Sequence, residues 1–204
     1  MLAAAVVALI AGWTLARWAR TVCDSASRWL AGWVVGSLAG VLAVGAALAS
    51  RTWWEFPGFL VLALFCGLLV ASDMAVLRLP DPIMAWAYPA FLVLIAVAAA
   101  GVNEWDRFGR AVLAGLALLV FYLVNALVVP SGMSLGDVKF AGLLGAMLGW
   151  EGWLNVLWGT LLAATFGGLA GLVLILVRRG GLKTEYAYGP MMAAGAWTAM
   201  VWLR

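Results

Sequence analysis

Apolar residues form long unbroken stretches along this chain, separated by short polar connections. Because about 20 helical residues cross ~30 Å of hydrocarbon, most of the stretches are long enough to span a bilayer. Strands of a membrane barrel would alternate polar and apolar residues, and the sequence has no such alternation. The pattern therefore predicts an all-α polytopic membrane protein with about eight transmembrane helices. These helices are expected at about 2–17, 29–49, 56–72, 82–101, 107–129, 138–150, 152–177 and 187–203.

The sixth apolar stretch decides the number of spans. Residues 140–150 would rise only ~17 Å as a helix. A span here must therefore begin earlier and include Asp137 and Lys139, or end later, past Glu151. The first choice places an aspartate at membrane depth. If this stretch does not cross, the chain has seven spans.

The basic residues predict the orientation. Arg17 and Arg20 follow the first apolar stretch and none precedes it, which favours a membrane anchor with an outside N-terminus over a signal peptide. With eight spans, eight basic residues lie inside and four outside, as the positive-inside rule requires. The inside set is Arg17, Arg20, Arg28, Arg78, Lys139, Arg178, Arg179 and Lys183, and the outside set is Arg51, Arg107, Arg110 and Arg204. This topology puts the connections 73–81 and 130–139 on the cytoplasmic side together.

The composition agrees with a single membrane-embedded domain over 1–204, since 67% of the residues are apolar and 10% are charged. Histidine is absent and the two cysteines, Cys23 and Cys66, are far apart. These counts exclude Ser-His and Cys-His nucleophiles and Cys-x-x-Cys metal sites. We therefore predict no metal and no cofactor. The net charge of +3 reports orientation in the bilayer and does not indicate a nucleic-acid partner.

Two aspartates lie where the predicted helices meet polar connections. Asp73 directly follows the apolar stretch 56–72, and Asp137 opens the next short helix. An ionisable group inside the hydrocarbon costs about 2.5–3.5 kcal/mol on insertion scales, so such a group is a candidate for function. If the two carboxyls converge, one keeps its proton while the other accepts a proton from water. That pair could hydrolyse a peptide bond without histidine or metal.

Two glycines precede the second aspartate. Gly132 and Gly136 permit positive φ angles and let another backbone approach without a Cβ in the way. A peptidase must bring an extended substrate beside its carboxylates, whereas a tight turn with close helix packing would also use glycine. The residues leave both interpretations open.

At these residues the chain resembles the prepilin peptidases, or type IV leader peptidases, and their preflagellin-peptidase relatives. In residues 71–81 an aspartate is followed seven positions later by Pro80 and then by Asp81. Residues 132–146 resemble the family's Gly-x-Gly-Asp segment with Val-Lys after it, and residues 188–195 are similar to its Phe-Gly-Pro segment. The resemblance is strongest over 51–204.

The resemblance implies a membrane aspartic endopeptidase that cuts the leader of a prepilin or pseudopilin at the cytoplasmic membrane face. Asp73 and Asp137 would be its catalytic pair. Gly132 and Gly136 would shape the loop for substrate approach, and Lys139 would lie near the pair or anchor the topology. The implied partners are the substrate polypeptide and the lipid bilayer of the cytoplasmic membrane.

Two departures from the family pattern stand out. Ser134 replaces the first glycine of Gly-x-Gly-Asp, and because serine disfavours positive φ, we expect a different local geometry there. Many bacterial members carry a cytoplasmic domain with paired zinc-binding cysteines after the first helix, linked to N-methylation of the processed pilin. Here that connection is about residues 18–28 with the single Cys23, so N-methyltransferase activity is not expected.

Two other functions use the same features. A catalytically silent scaffold of a pilus or type II secretion system would be consistent with Ser134. A proton-coupled transporter would also place acids in the membrane, but it would be expected to show internal repeats with broken helices. No such repeat is evident in the sequence.

Overall fold

The chain forms eight α-helices and one short 3₁₀ helix within the residues that the computed structural model describes, which are 2–128, 133–178 and 186–203. That part of the chain contains no β-strand. The α-helices are α1 (Leu2–Cys23), α2 (Gly32–Ala49), α3 (Phe56–Val76), α4 (Asp81–Val102), α5 (Trp105–Val128), α6 (Leu135–Glu151), α7 (Trp153–Arg178) and α8 (Gly189–Trp202).

Six of these helices, α1–α5 and α7, are long and apolar enough to cross a membrane. The prediction of an all-α polytopic membrane protein is confirmed. Helices α6 and α8 are shorter, with 17 and 14 residues. Helix α6 is surrounded by protein, since every residue from Phe140 to Trp150 is buried. An apolar helix enclosed on all sides belongs to the core of a bundle rather than to its lipid-facing surface.

The observed helices extend beyond the apolar stretches at both aspartates. Helix α3 continues four residues past the predicted end and includes Asp73 in its last turn. It ends at Val76, and the next residue, Leu77, has φ 53° and donates its backbone N–H to the Asp73 carbonyl oxygen at 2.9 Å. Helix α6 begins at Leu135, before the predicted 138, and includes Asp137 in its first turn. Backbone hydrogen bonds, rather than loss of apolar side chains, determine where each helix ends.

Successive helices run in opposite directions, so their connections lie alternately at the two ends of the bundle. One end holds the connection 77–80, the start of α6 and the start of α8, and the other holds 50–55, 103–104 and 152. Helix α8 packs against both α3 and α6. The two helices that carry the buried aspartates therefore share a neighbour.

A short segment, residues 24–31, joins α1 to α2. It contains the 3₁₀ helix Arg28–Leu30, which is capped by Ser27. No folded domain lies between these two helices. Cys23 is half-buried and is not in a disulfide.

A buried ion-pair cluster ties together the end of the bundle opposite the aspartates. Arg107 contacts Glu55 at 2.7 Å, Glu104 at 2.9 Å and Glu151 at 3.2 Å, measured between nitrogen and oxygen. Arg51 adds a contact of 2.6 Å to Glu151. Glu55 is fully buried, and the cluster joins the ends of α3, α5 and α6.

Candidate active site

Asp73 lies in the last turn of α3 with only 4% of its surface exposed. Its Oδ2 atom accepts a hydrogen bond of 2.7 Å from the backbone N–H of Gly189, the first residue of α8. The first N–H groups of a helix lack partners within the helix, and the helix dipole favours negative charge there. The start of α8 therefore orients the Asp73 carboxyl.

Glycine at position 189 lets the Asp73 carboxyl approach the start of α8 closely. A Cβ atom on Gly189 would lie 2.8 Å from Asp73 Oδ2, which is closer than van der Waals contact allows. Any side chain would push the carboxyl away from the helix start. Gly189 lies in the segment 188–195, which resembles the family's Phe-Gly-Pro segment, and its contact with Asp73 gives that segment a physical role.

Asp137 lies in the first turn of α6 and is 6% exposed. Its Oδ2 atom accepts hydrogen bonds from the Ser134 backbone N–H at 2.9 Å and from the Ser134 hydroxyl at 2.8 Å. The Asp137 backbone N–H donates to Ser134 Oγ at 3.2 Å. These reciprocal bonds form a capping box that starts the helix.

Ser134 does not adopt a positive φ, so it does not carry the backbone penalty that such an angle would impose. Ser134 has φ −86° and ψ 157°, an extended conformation that any residue adopts. Its side chain is the helix cap, a position where serine is favoured.

Gly136 provides close approach rather than unusual backbone angles. None of the glycines in the described part of the chain adopts the left-handed backbone conformation that favours glycine. A Cβ on Gly136 would lie 2.9 Å from the Cβ of Leu79, in the connection between α3 and α4. The start of α6 can therefore pack directly against that connection. Gly132 lies outside the described residues.

The two buried aspartates lie at the same end of the bundle, close enough for their charges to interact. Two tyrosines, Tyr122 on α5 and Tyr188 before α8, lie close to each other and within electrostatic reach of Asp137. The structure therefore surrounds two carboxyls with hydrogen-bond donors in a largely water-excluded setting. Such a setting strengthens each electrostatic interaction.

Lys139 points to a different carboxylate. Its ammonium contacts Asp81 Oδ1 at 2.5 Å, and its backbone carbonyl accepts a hydrogen bond of 2.6 Å from the Tyr88 hydroxyl. Lys139 and Asp81 line an open cleft of about 390 Å³, together with Leu79, Ser134 and Gly136. Lys139 thus joins α6 to α4 beside the aspartate pair, and its charge is engaged with Asp81.

Sequence reasoning did not identify Tyr122, Leu79 or the backbone of Gly189 as site residues. Tyr122 lies in an apolar stretch with no local signal, and only helix packing brings it to Asp137. Gly189 could have been found, because the Tyr-Gly-Pro segment opens a helix whose first N–H groups need an acceptor. Within the described ranges, no three Cys, Asp or Glu side chains lie close enough to share a metal ion.

The fold and this site define a multi-pass helical membrane protein with two interacting carboxyls buried at one end of the bundle. The model of the type IV leader peptidase family matches residues 60–176, which is more than half of the chain. The chain belongs to the type IV leader peptidase family.

Curated relatives agree with this family. The chain is 35% identical over 98 residues to the prepilin leader peptidase/N-methyltransferase of Pseudomonas putida, covering 48% of this chain and 33% of the relative. It is 29% identical over 177 residues to the protein of the same name from Aeromonas hydrophila, covering 83% of this chain and 57% of the relative. The matches thus span between a third and just over half of the length of these relatives. No solved structure matches the chain.

Proposed function

We propose that this protein is a membrane aspartic endopeptidase that removes the leader peptide of a prepilin or pseudopilin, with Asp73 and Asp137 as its catalytic pair. The observation that carries the proposal is the burial of these two side chains at one end of the bundle, where their charges interact. Family membership and the names of the relatives support the substrate class. The whole of residues 1–204 would act as one membrane-embedded peptidase domain.

The chemistry follows from two neighbouring carboxyls that share one proton. The ionised member takes a proton from water as the water oxygen bonds to the scissile carbonyl carbon. The protonated member donates a hydrogen bond and then its proton to the carbonyl oxygen. When the C–N bond breaks, the first carboxyl passes its proton to the leaving nitrogen and the second recovers its own from the collapsing oxygen. The pair ends as it began and titrates as one unit.

The cleft beside the pair offers a route for the substrate. Gly136 at the start of α6 lines this cleft, and Lys139 and Asp81 border its opening. An extended polypeptide entering between α4 and α6 would pass these residues before reaching Asp137. We assign Gly136 and Lys139 to substrate approach on this basis, and Gly132 by its place in the same motif.

We propose that this end of the bundle faces the cytoplasm. The helix order places Arg17, Arg20, Arg28, Arg78, Lys139 and Arg178 at the end with the aspartate pair. Arg51, Arg107 and Arg110 lie at the opposite end. Basic residues accumulate on the cytoplasmic side of membrane proteins, so the N-terminus would lie outside.

The proposal covers leader cleavage and not N-methylation. The connection between α1 and α2, residues 24–31, holds no cysteine, whereas the domain that the family resemblance links to N-methylation carries paired cysteines. The scaffold alternative is not favoured, because Ser134 caps α6 and holds the Asp137 carboxyl in place.

Asparagine substitution of each aspartate tests the proposal. Asp73→Asn and Asp137→Asn should each abolish leader cleavage, because an amide can neither accept the proton of water nor supply one to the carbonyl oxygen. The measurement is a blot of a tagged prepilin co-expressed with each variant in the membrane, alongside the amount of inserted protein. Asp24→Asn and Asp106→Asn serve as matched controls, since both side chains are exposed. Full processing by both active-site variants would overturn the proposal.

A further inference from the structure

The two carboxyls of the pair differ in one hydrogen-bond donor. Oδ2 of Asp73 accepts from one donor, the backbone N–H of Gly189 at 2.7 Å. Oδ2 of Asp137 accepts from two, the backbone N–H and the hydroxyl of Ser134 at 2.9 and 2.8 Å. The extra donor is the side chain that replaces a glycine of the family pattern.

The direction of these hydrogen bonds is determined by the groups involved. A backbone N–H can only donate, so the Asp137 Oδ2 that receives the Ser134 N–H is an acceptor. The Ser134 oxygen already accepts from the Asp137 backbone N–H at 3.2 Å, which leaves its own hydrogen free to point to Oδ2. Both donors therefore favour the ionised carboxylate, because hydrogen bonds to the charged form stabilise it.

We propose that Ser134 is a positioning residue that holds Asp137 ionised, so that Asp137 activates the water and Asp73 carries the shared proton. The inference rests on the proposed peptidase function and adds the separate roles of the two aspartates. The Asp137 Oδ1 atom is then the one that faces the water, since Oδ2 is held by Ser134.

The other polar groups around Asp137 do not supply this distinction. Asp73 faces it from α3 and disfavours a second negative charge. Tyr122 from α5 and Tyr188 before α8 are neutral phenols within electrostatic reach. The nearby cation, Lys139 on α6, is paired with Asp81 at the start of α4, and Arg78 borders the same cleft. The hydroxyl of Ser134 is the side-chain donor that contacts the carboxylate directly.

The pH dependence of cleavage tests the inference. Ser134→Gly removes the hydroxyl and introduces a residue that the cap position tolerates well. Because the ionised form of Asp137 loses a donor, the acidic limb of the profile of kcat/KM should move to higher pH by about half a unit to one unit. Ser134→Ala should move the acidic limb in the same direction. Ser134→Thr keeps a hydroxyl, so its acidic limb should lie at the same pH as that of the unmodified protein. The substrate is purified tagged prepilin, and the enzyme is the full chain in detergent.

Ser27→Ala is the matched control, because Ser27 also caps a helix start but contacts neither aspartate. Its profile should coincide with that of the unmodified protein. An acidic limb that stays in place in both Ser134→Gly and Ser134→Ala refutes the role of the hydroxyl. That outcome is distinct from failure of the peptidase proposal, in which the unmodified protein would not cleave prepilin at all.

Discussion

Replacing Arg107 by methionine tests whether the buried ion-pair cluster holds the far end of the bundle together. The guanidinium contacts Glu55, Glu104 and Glu151 and lies 4.6 Å from the centre of the Trp150 ring. Methionine keeps much of the apolar volume and removes the charge. Glu55, whose side chain has no exposed surface, would then lose its cationic side-chain partner.

The expected loss can be worked from these contacts. Removing one partner of a buried ion pair costs about 3–5 kcal/mol, because the remaining charge is stranded away from water. Two contacts remain in the variant: the Arg51 backbone N–H still donates to Glu55 at 2.8 Å, and the Arg51 side chain still pairs with Glu151. We therefore expect the lower end, about 3 kcal/mol of the free energy of unfolding.

The assay is reversible unfolding of the purified protein in mixed detergent and SDS micelles, followed by tryptophan fluorescence. Glu104→Gln is the control, because Glu104 is half exposed and its pair with Arg107 should contribute less than about 1 kcal/mol. Adding Glu55→Gln to Arg107→Met removes the stranded charge and should restore part of the loss. If Arg107→Met costs no more than Glu104→Gln, the cluster does not stabilise the bundle and the reasoning is wrong.

Two glycine substitutions test the close approaches at the site. Gly189→Ala places a methyl group 2.8 Å from Asp73 Oδ2, so it should displace that carboxyl. Cleavage should fall at least about tenfold, equivalent to ~1.4 kcal/mol in the barrier. Gly168→Ala, with open space around its Cβ position, should leave cleavage unchanged in the blot of tagged prepilin. Gly136→Ala places a methyl group 2.9 Å from the Leu79 Cβ and should lower cleavage by moving the start of α6. Gly109→Ala, also in open space, is its control, and equal activity of Gly136→Ala and Gly109→Ala would show that the contact with Leu79 does not position Asp137.

The local pattern of apolar and polar residues was sufficient to predict the class of protein and most of its helices. Long apolar stretches specify membrane helices because the hydrocarbon offers no partner for backbone polar groups. The same pattern placed the helix ends incorrectly at Asp73 and Asp137, since side-chain hydropathy changes before the backbone hydrogen bonds end. At α6 the sequence offered an earlier start or a later end, and the observed helix takes the earlier start and runs to Glu151.

Local pattern could not assign partners to the charged residues. Lys139 is two residues from Asp137 in the sequence, yet its ammonium pairs with Asp81 on another helix. Glu55, Arg107 and Glu151 come from three separate helix ends and form one buried cluster. No spacing rule connects such positions, because the chain between them is a full membrane helix or more.

The amino-acid sequence by itself determined that this is a helical membrane protein, that its two boundary aspartates are candidates for function, and which family it resembles. Each of these follows from composition, short-range periodicity and motifs, which are properties of neighbouring residues. Tertiary structure alone decided that α8 packs against both α3 and α6, that the Gly189 N–H holds Asp73, and that Tyr122 and Tyr188 lie near Asp137. Those contacts join residues far apart in the chain, and they arise from how whole helices pack, where small residues let backbones and side chains approach closely.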